Sequence, residues 1–375
     1  MLSIASGCSS STEGATTDGG TDGAGAPIGF QPSNINVADI MSAVAAAQAE
    51  DVTESCAVAT DKTNPDTDCF NSPIHTVKQP DGTRVNLVVV KSLTVEKAAT
   101  ITAQGDVPFV LVSLADITLS GGIDAHSSLL DVGAGGAPGA ASDAKGGGAG
   151  GGAAGSGTKL VGGSGGSYCG VGGQGGGQSA TGSSVGSIDI RPLVGGSSGG
   201  GGDVGSGTGG GGVQLVADGA LTIKASSSIT VGGAAGMMSG ISNDQNSGGG
   251  GSGGSILLEA TSIDVAGTLA ANGGGGGGSY SGAAAKDATA NATPAPGGKA
   301  DTSGAAGGAG GAGSTAKGSP GQAGKGLNSG GGGGGAGRIR MNSVSGSASV
   351  TGTISPAEST FCAIVAKVRT FSDGP

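Results

Sequence analysis

The chain has 375 residues, 88 of them glycine, with no tryptophan, two tyrosines and five phenylalanines. So few large apolar side chains exclude a conventional globular core of this length, because each one buried contributes only about 1.5–3 kcal/mol; 13 prolines and no third-residue glycine register exclude collagen. A formal net charge of −10 with scattered cations and almost no aromatic rings excludes a nucleic-acid binder, and no apolar run reaches the ~18 residues of a transmembrane helix.

The chain opens MLSIASGC, with Ala5, Ser6 and Gly7 ahead of Cys8 and a Ser/Thr/Gly/Asp tract behind it. This resembles the lipobox of bacterial lipoproteins. The resemblance implies that Cys8 is lipid-modified, that residues 1–33 are a lipoprotein-type N-terminus and flexible tether, and that the protein is exported. It also implies contact with the membrane through that lipid, at the outer membrane or cell surface. Ala5 stands where leucine is commoner. Seven residues are too few for a basic region plus an apolar stretch of about 7–15 residues, so the signal is expected to begin upstream.

Residues 34–84 read as a capping helix, a cysteine loop and a leading hairpin. Val37, Ile40, Met41 and Val44 have helical spacing, Asn36 is a candidate N-cap, and Ile35 can staple onto Ile40. Setting Cys8 aside leaves Cys56, Cys69, Cys169 and Cys362, an even number that favours disulfides in an exported protein. Four cysteines allow three connectivities. Short spacing makes Cys56–Cys69 the natural local pair, which leaves Cys169 with Cys362; buried free thiols are the competing reading. Inside the first loop, Asp61, Asn64, Asp66 and Asp68 offer oxygen ligands in partial alternation, a candidate calcium site. The glycine and distal glutamate of an EF-hand are missing, and a loop of Asx turns is the competing account. No other cofactor is expected. Ile74–Val77, a turn over 79–83 and Val85–Val90 then read as a hairpin.

From residue 85 a unit of about 20 residues recurs, at 85–105, 107–127, 213–233, 255–274 and, more degenerate, 338–357. Val213, Leu215, Leu221, Ile223 and Ile229 of one copy correspond to Ile256, Leu258, Ile263, Val265 and Leu269 of the next. Short strands with tight small-residue corners predict an all-β fold, a right-handed parallel β-helix (solenoid) of about five coils over 85–375. An antiparallel sandwich, with turn signals about every 8–12 residues, is the alternative. Glycine-rich inserts at about 131–212, 232–254 and 275–337 separate the copies and should project from one region. They are either disordered or a bundle of polyglycine II-like strands with three residues per turn, hydrogen-bonded to one another because no side chain holds them apart.

Signals of catalysis are weak. Residues 162–166 fit a nucleophile-elbow pattern that arises by chance in this composition, and neither Gly-Lys pair, at Lys299 or Lys325, continues into a phosphate loop. His75 and His126 lie in different segments, and Arg338 and Arg340 share a strand face that reads as solvated. Threonine ranks for ice binding do not form. The repeats and the GGAGG and GGSGG tracts resemble glycine-rich secreted β-helix proteins of bacteria, and are similar to the polymorphic glycine-rich modules of mycobacterial surface proteins, without their helical leader. The resemblance implies a non-catalytic structural or adhesive surface lipoprotein that presents glycine-rich loops to a surface polysaccharide or protein. A carbohydrate-binding or polysaccharide-degrading β-helix is the alternative.

Overall fold

In the computed structural model, which describes residues 25–156, 160–177, 181–239, 245–278, 282–300, 304–324 and 328–373, the period-two segments become short strands. Helix α1 spans Val37–Val44 and is followed by β1 (Ala49–Val52), β2 (Cys56–Thr60), β3 (Asp66–Thr67) and β4 (Ile74–Lys78). The repeat units supply β5 (Arg84–Val90), β6 (Ser92–Val95), β7 (Thr100–Gly105), β8 (Phe109–Ser113), β9 (Ile117–Leu119) and β10 (Gly122–Asp124). Beyond the first glycine tract come β11 (Gly212–Ile223) and β12 (Ser228–Thr230), and beyond the second β13 (Ser255–Val265) and β14 (Thr268–Ala270). The third tract leads into β15 (Arg338–Ser343), β16 (Ser349–Val350), β17 (Thr353–Ser355) and β18 (Ala363–Lys367).

These strands divide between an 11-stranded sheet and a 7-stranded sheet. Pairing is mixed: β5, β8, β11, β13, β15 and β18 run parallel, whereas β4–β5 and β2–β3 are antiparallel. The expected all-β right-handed parallel β-helix of about five coils is therefore corrected. The larger sheet curls into a half-barrel beside a separate second sheet, with α1 on one face, an α/β-type arrangement containing very little helix. The repeat did report which residues stand side by side: Val213, Leu215, Leu221, Ile223 and Ile229 do pair with Ile256, Leu258, Ile263, Val265 and Leu269. It could not report the antiparallel hairpins at the start of the chain, which depend on turn residues outside the repeat.

Side-by-side pairing lines up identical chemistry. Val88, Leu111, Leu215, Leu258, Met341 and Val365 form one apolar row across the larger sheet. Ile101, Ile123, Ile229, Leu269 and Ile354 form another across the smaller, and both rows enter the core between the sheets. A second cluster covers the opposite face of the larger sheet. There Ile28, Phe30, Ile35, Ile40, Ile190 and Leu193 pack on Leu87, Val89, Val110, Val112 and Val216. Strands buried on both faces need no polar alternation, which explains the unbroken runs Leu87–Val90 and Phe109–Val112. Asn36 precedes α1 without a side-chain cap bond, so Ile35 and Ile40, both fully buried, fix the helix through packing.

The glycine tracts leave the smaller sheet after β10, β12 and β14 and return to the larger one at β11, β13 and β15. They are ordered against one another by backbone hydrogen bonds. Gly249 and Ser252 donate to Gly200 and Ser197, Gly250 and Gly253 to Gly332 and Gly335, and Gly251 and Gly254 to Ala234 and Val231, all at 2.9–3.0 Å. Each third residue thus addresses the same neighbour, the signature of an extended helix with three residues per turn. The carbonyls of the same segment accept from Gly163, Gly166, Gly207, Gly210, Gly274 and Gly277. This is the polyglycine II-like alternative, with neighbouring segments on every side of the central one.

Segments this close leave no room for a side chain. A Cβ on Gly251 would overlap the Thr208 carbonyl oxygen, and one on Gly334 would overlap the Gly251 carbonyl oxygen. Gly147, at the rim, would instead meet the Ala137 Cβ at an ordinary 3.5 Å. The same substitution should therefore have opposite effects at two glycines. Gly251→Ala is expected to cost about 1–3 kcal/mol through overpacking, whereas Gly147→Ala should be neutral or stabilise by up to about 1 kcal/mol through the unfolded state. Urea denaturation of the two variants checks this, and equal effects would contradict a close-packed bundle.

Candidate functional site

Turns from all three glycine tracts meet at the end of the bundle away from the sheets, and Asn246 joins them. Its backbone N–H and its Nδ2 both donate to Asp203 Oδ2, at 2.6 and 3.1 Å. Nδ2 also donates to the Ser156 carbonyl at 3.2 Å, and Oδ1 accepts from the Ser329 N–H at 3.0 Å. Ser329 Oγ in turn donates to the Leu160 carbonyl at 2.6 Å. Asn246 is fully buried, so these bonds replace every contact its amide would make with water. The ends of three chain segments far apart in sequence are held as one surface. Met237 and Met238, in the second tract close to this end, remain partly exposed.

Nearer the sheets, Cys169 is bonded to Cys362, which ties the bundle to the residue preceding β18; Cys56 is bonded to Cys69. These are the pairs that spacing and parity singled out. The acidic residues of the first loop are spent on local turns. Asp61 Oδ1 accepts from the Thr63 N–H and Oγ1, at 2.7 and 2.8 Å, and these bonds hold its carboxyl below the ordinary range. Asp66 accepts from the Thr67 N–H, and Asp68 from the Ala57 N–H. Asn64 donates its backbone N–H to Asp61. Among the described residues, the one grouping of metal-ligand atoms is Cys56, Asp68 and Cys69, two of which are the disulfide. Asp61, Asn64, Asp66 and Asp68 are thus not brought together into a calcium shell. Cys8 lies outside the described residues.

Sequence reasoning treated Arg338 and Arg340 as a solvated strand face. Instead, Ile339 and Met341 turn into the core, and the alternate face of β15 is covered by the segment around Asp189. Arg340 pairs with Asp189 at 3.0 Å and donates to the Ile188 carbonyl at 3.2 Å and to Asn342 at 2.9 Å. Beside them, the fully buried Glu259 accepts from Ser33 Oγ at 2.6 Å, the Ser33 N–H at 3.0 Å, Gln214 at 2.7 Å and Asn342 at 3.2 Å. A carboxylate with this many donors is compensated without a direct cation. It locks the N-terminal covering segment to the sheet. The charged residue inside SILLEAT, level with polar Asn342 on the next strand, was the available signal for this covered network.

His126, one turn beyond β10, binds Asp124 through Nδ1 at 2.6 Å. That hydrogen bond, helped by the charges of Asp124, Asp287 and Asp131 and opposed by partial burial, raises its pKa above the ordinary histidine value. His75 sits on β4 in the larger sheet, whereas His126 follows β10 of the smaller one. No protein-family model, curated protein or solved structure matches the chain.

A raised folded pKa means that the protonated pair stabilises the fold fully below about pH 6.5. The contribution is lost as pH rises through the higher folded value. NMR titration should find His126 above 6.5, and Asp124→Asn should bring it down. Stability of the wild type should fall across that window more than stability of Asp124→Asn; parallel curves would contradict the pairing.

Proposed function

We propose that this protein is a non-catalytic, exported surface lipoprotein whose glycine-rich bundle acts as a rigid structural and adhesive module. One observation carries the reading: Asn246 and Ser329 bind turns of all three glycine tracts into a single end surface. Presenting a surface requires that its loops lose little entropy on contact, and pre-ordered backbone meets that need. Two disulfides are in keeping with an oxidising compartment. The lipobox-like run ending at Cys8 supports attachment through a lipid, with the Ser/Thr/Gly/Asp tract as tether. In this reading the partner is a surface polysaccharide or protein.

The reading is tested in a bacterial host producing the full chain, by palmitate labelling and by surface staining with an antibody to the bundle. Wild-type cells should carry label and stain, Cys8→Ser cells should lose the label and release the protein, and Asn246→Ala should reduce cell adhesion while surface staining persists. Label that survives in Cys8→Ser, or adhesion equal to cells without the protein, would overturn the proposal.

A further inference from the structure

The chain contains five arginines, and four of them gather on one face of an otherwise acidic protein. Arg338 and Arg340 project from the same side of β15, and Arg191 follows the Asp189 that pairs with Arg340. Arg369 lies opposite, where its carbonyl accepts from the Gln31 N–H at 3.1 Å. The acids among them are Asp189, shared with Arg340, and Glu259, whose oxygens are already bound to Ser33, Gln214 and Asn342.

Arg338 and Arg191 are therefore under-compensated among the described residues. Arg338 is only 8% exposed, its Nε has no hydrogen-bond partner, and its Nη1 reaches the Phe361 carbonyl at a long 3.4 Å. Arg191 makes no hydrogen bond or ion pair among the described residues. Burial lowers the pKa of both, and a neighbouring arginine adds to this, Arg340 for Arg338 and Arg369 for Arg191; Tyr168 and Asp189 oppose the shift at Arg338, and Asp189 and Glu259 oppose it at Arg191, without cancelling it. Holding like charges together in a partly dry place costs free energy that an incoming anion would recover.

The same face borders a cleft of about 500 Å³, within the range of about 300–1,000 Å³ typical of ligand sites. Pro192, next to Arg191, forms part of its wall, as does Tyr168, whose phenol neighbours Arg338 and is pushed up to about 12 by burial. Pro138 and Val185 supply apolar surface, and Ser187 and Ser197 supply hydroxyls. Apolar walls with a few polar groups suit the C–H faces and hydroxyls of a sugar ring; no arginine lines the cleft, and the guanidinium groups on the face beside it suit carboxylates.

We propose that the face formed by Arg191, Arg338 and Arg369, with the cleft beside it, binds an acidic polysaccharide, carboxylates on the guanidinium groups and a sugar ring in the cleft. The site does not depend on how the protein is anchored. A flat anionic membrane is disfavoured, because Arg338 is buried and Arg191 and Arg369 are partly buried beside a concavity, and none of the three stands out from a plane.

Biolayer interferometry with immobilised polygalacturonate tests this, with dextran and phosphatidylglycerol vesicles as comparison probes. The full chain should bind polygalacturonate at low salt, bind dextran weakly or not at all, and lose about tenfold or more in affinity at high salt. Arg191→Ala combined with Arg369→Ala should lose at least about tenfold in affinity. Arg191→Glu, at a side chain with no hydrogen bond or ion pair among the described residues, should lose as much while its melting curve stays that of the wild type. Absence of polygalacturonate binding by the wild type, affinity unchanged in Arg191→Glu, or binding to the vesicles alone would each overturn the proposal.

Discussion

Hydrogen bonds between glycine backbones, made at a separation that admits no Cβ, are the constraint on which this structure depends. A polyglycine strand has no internal hydrogen bonds, so every N–H and C=O in the bundle must find a partner on a neighbouring segment or remain unpaired away from water. The central strand meets that requirement by addressing a different neighbour with each successive residue. Each bond adds a net contribution of only about 0.5–1.5 kcal/mol, against a backbone ordering cost of about 1–2 kcal/mol per residue. The bundle therefore cannot be an isolated feature. It is stable because it is continuous at its base with strands whose apolar rows fill a core.

That continuity explains the layout of the chain. Tracts leave from adjacent strands of the smaller sheet, β10, β12 and β14, and return into adjacent strands of the larger, β11, β13 and β15. The strand register thereby sets where each glycine segment begins. Serines inside the tracts add bonds without widening the spacing: Ser197 Oγ accepts from the Gly150 N–H, and Ser198 Oγ from the Gly147 N–H. Cys169–Cys362 crosses from the bundle to the sheet. On the opposite face, Glu259 holds the N-terminal segment over strands that would otherwise expose an apolar surface.

Much of the local structure was legible in the sequence because it rests on short-range chemistry. The leading hairpin follows from turn residues flanked by alternating apolar ones, and β4 and β5 form it. Ile40 announces its packing by helical spacing, and Ile35 by its place before the N-cap, where it can staple onto Ile40. The alignment of Leu221 with Ile263 predicts their pairing because equivalent positions of a repeat face the same core. The fold class was misread because a repeat specifies lateral register, not the number of sheets or the sense of the first strands. β1, β2 and β18 were missed: Ala49–Val52 and Cys56–Thr60 lack large alternating residues, and their partners are distant in sequence. The arginine face was illegible for the same reason. Arg191 and Arg369 share no motif with Arg338, and only the covering segments bring them together. Composition left the glycine tracts open between disorder and order, since glycine carries no side-chain pattern to read.

Inter-strand backbone bonds order the glycine tracts, and amide hydrogen exchange measures those bonds directly. Native-state exchange on the full chain should find Gly249, Gly250 and Gly251 protected to a degree comparable with Leu257 and Leu258 of β13, because bundle and sheet open together. Exchange of those glycine amides at the rate of an unstructured peptide, with the β13 amides still protected, would contradict an ordered bundle.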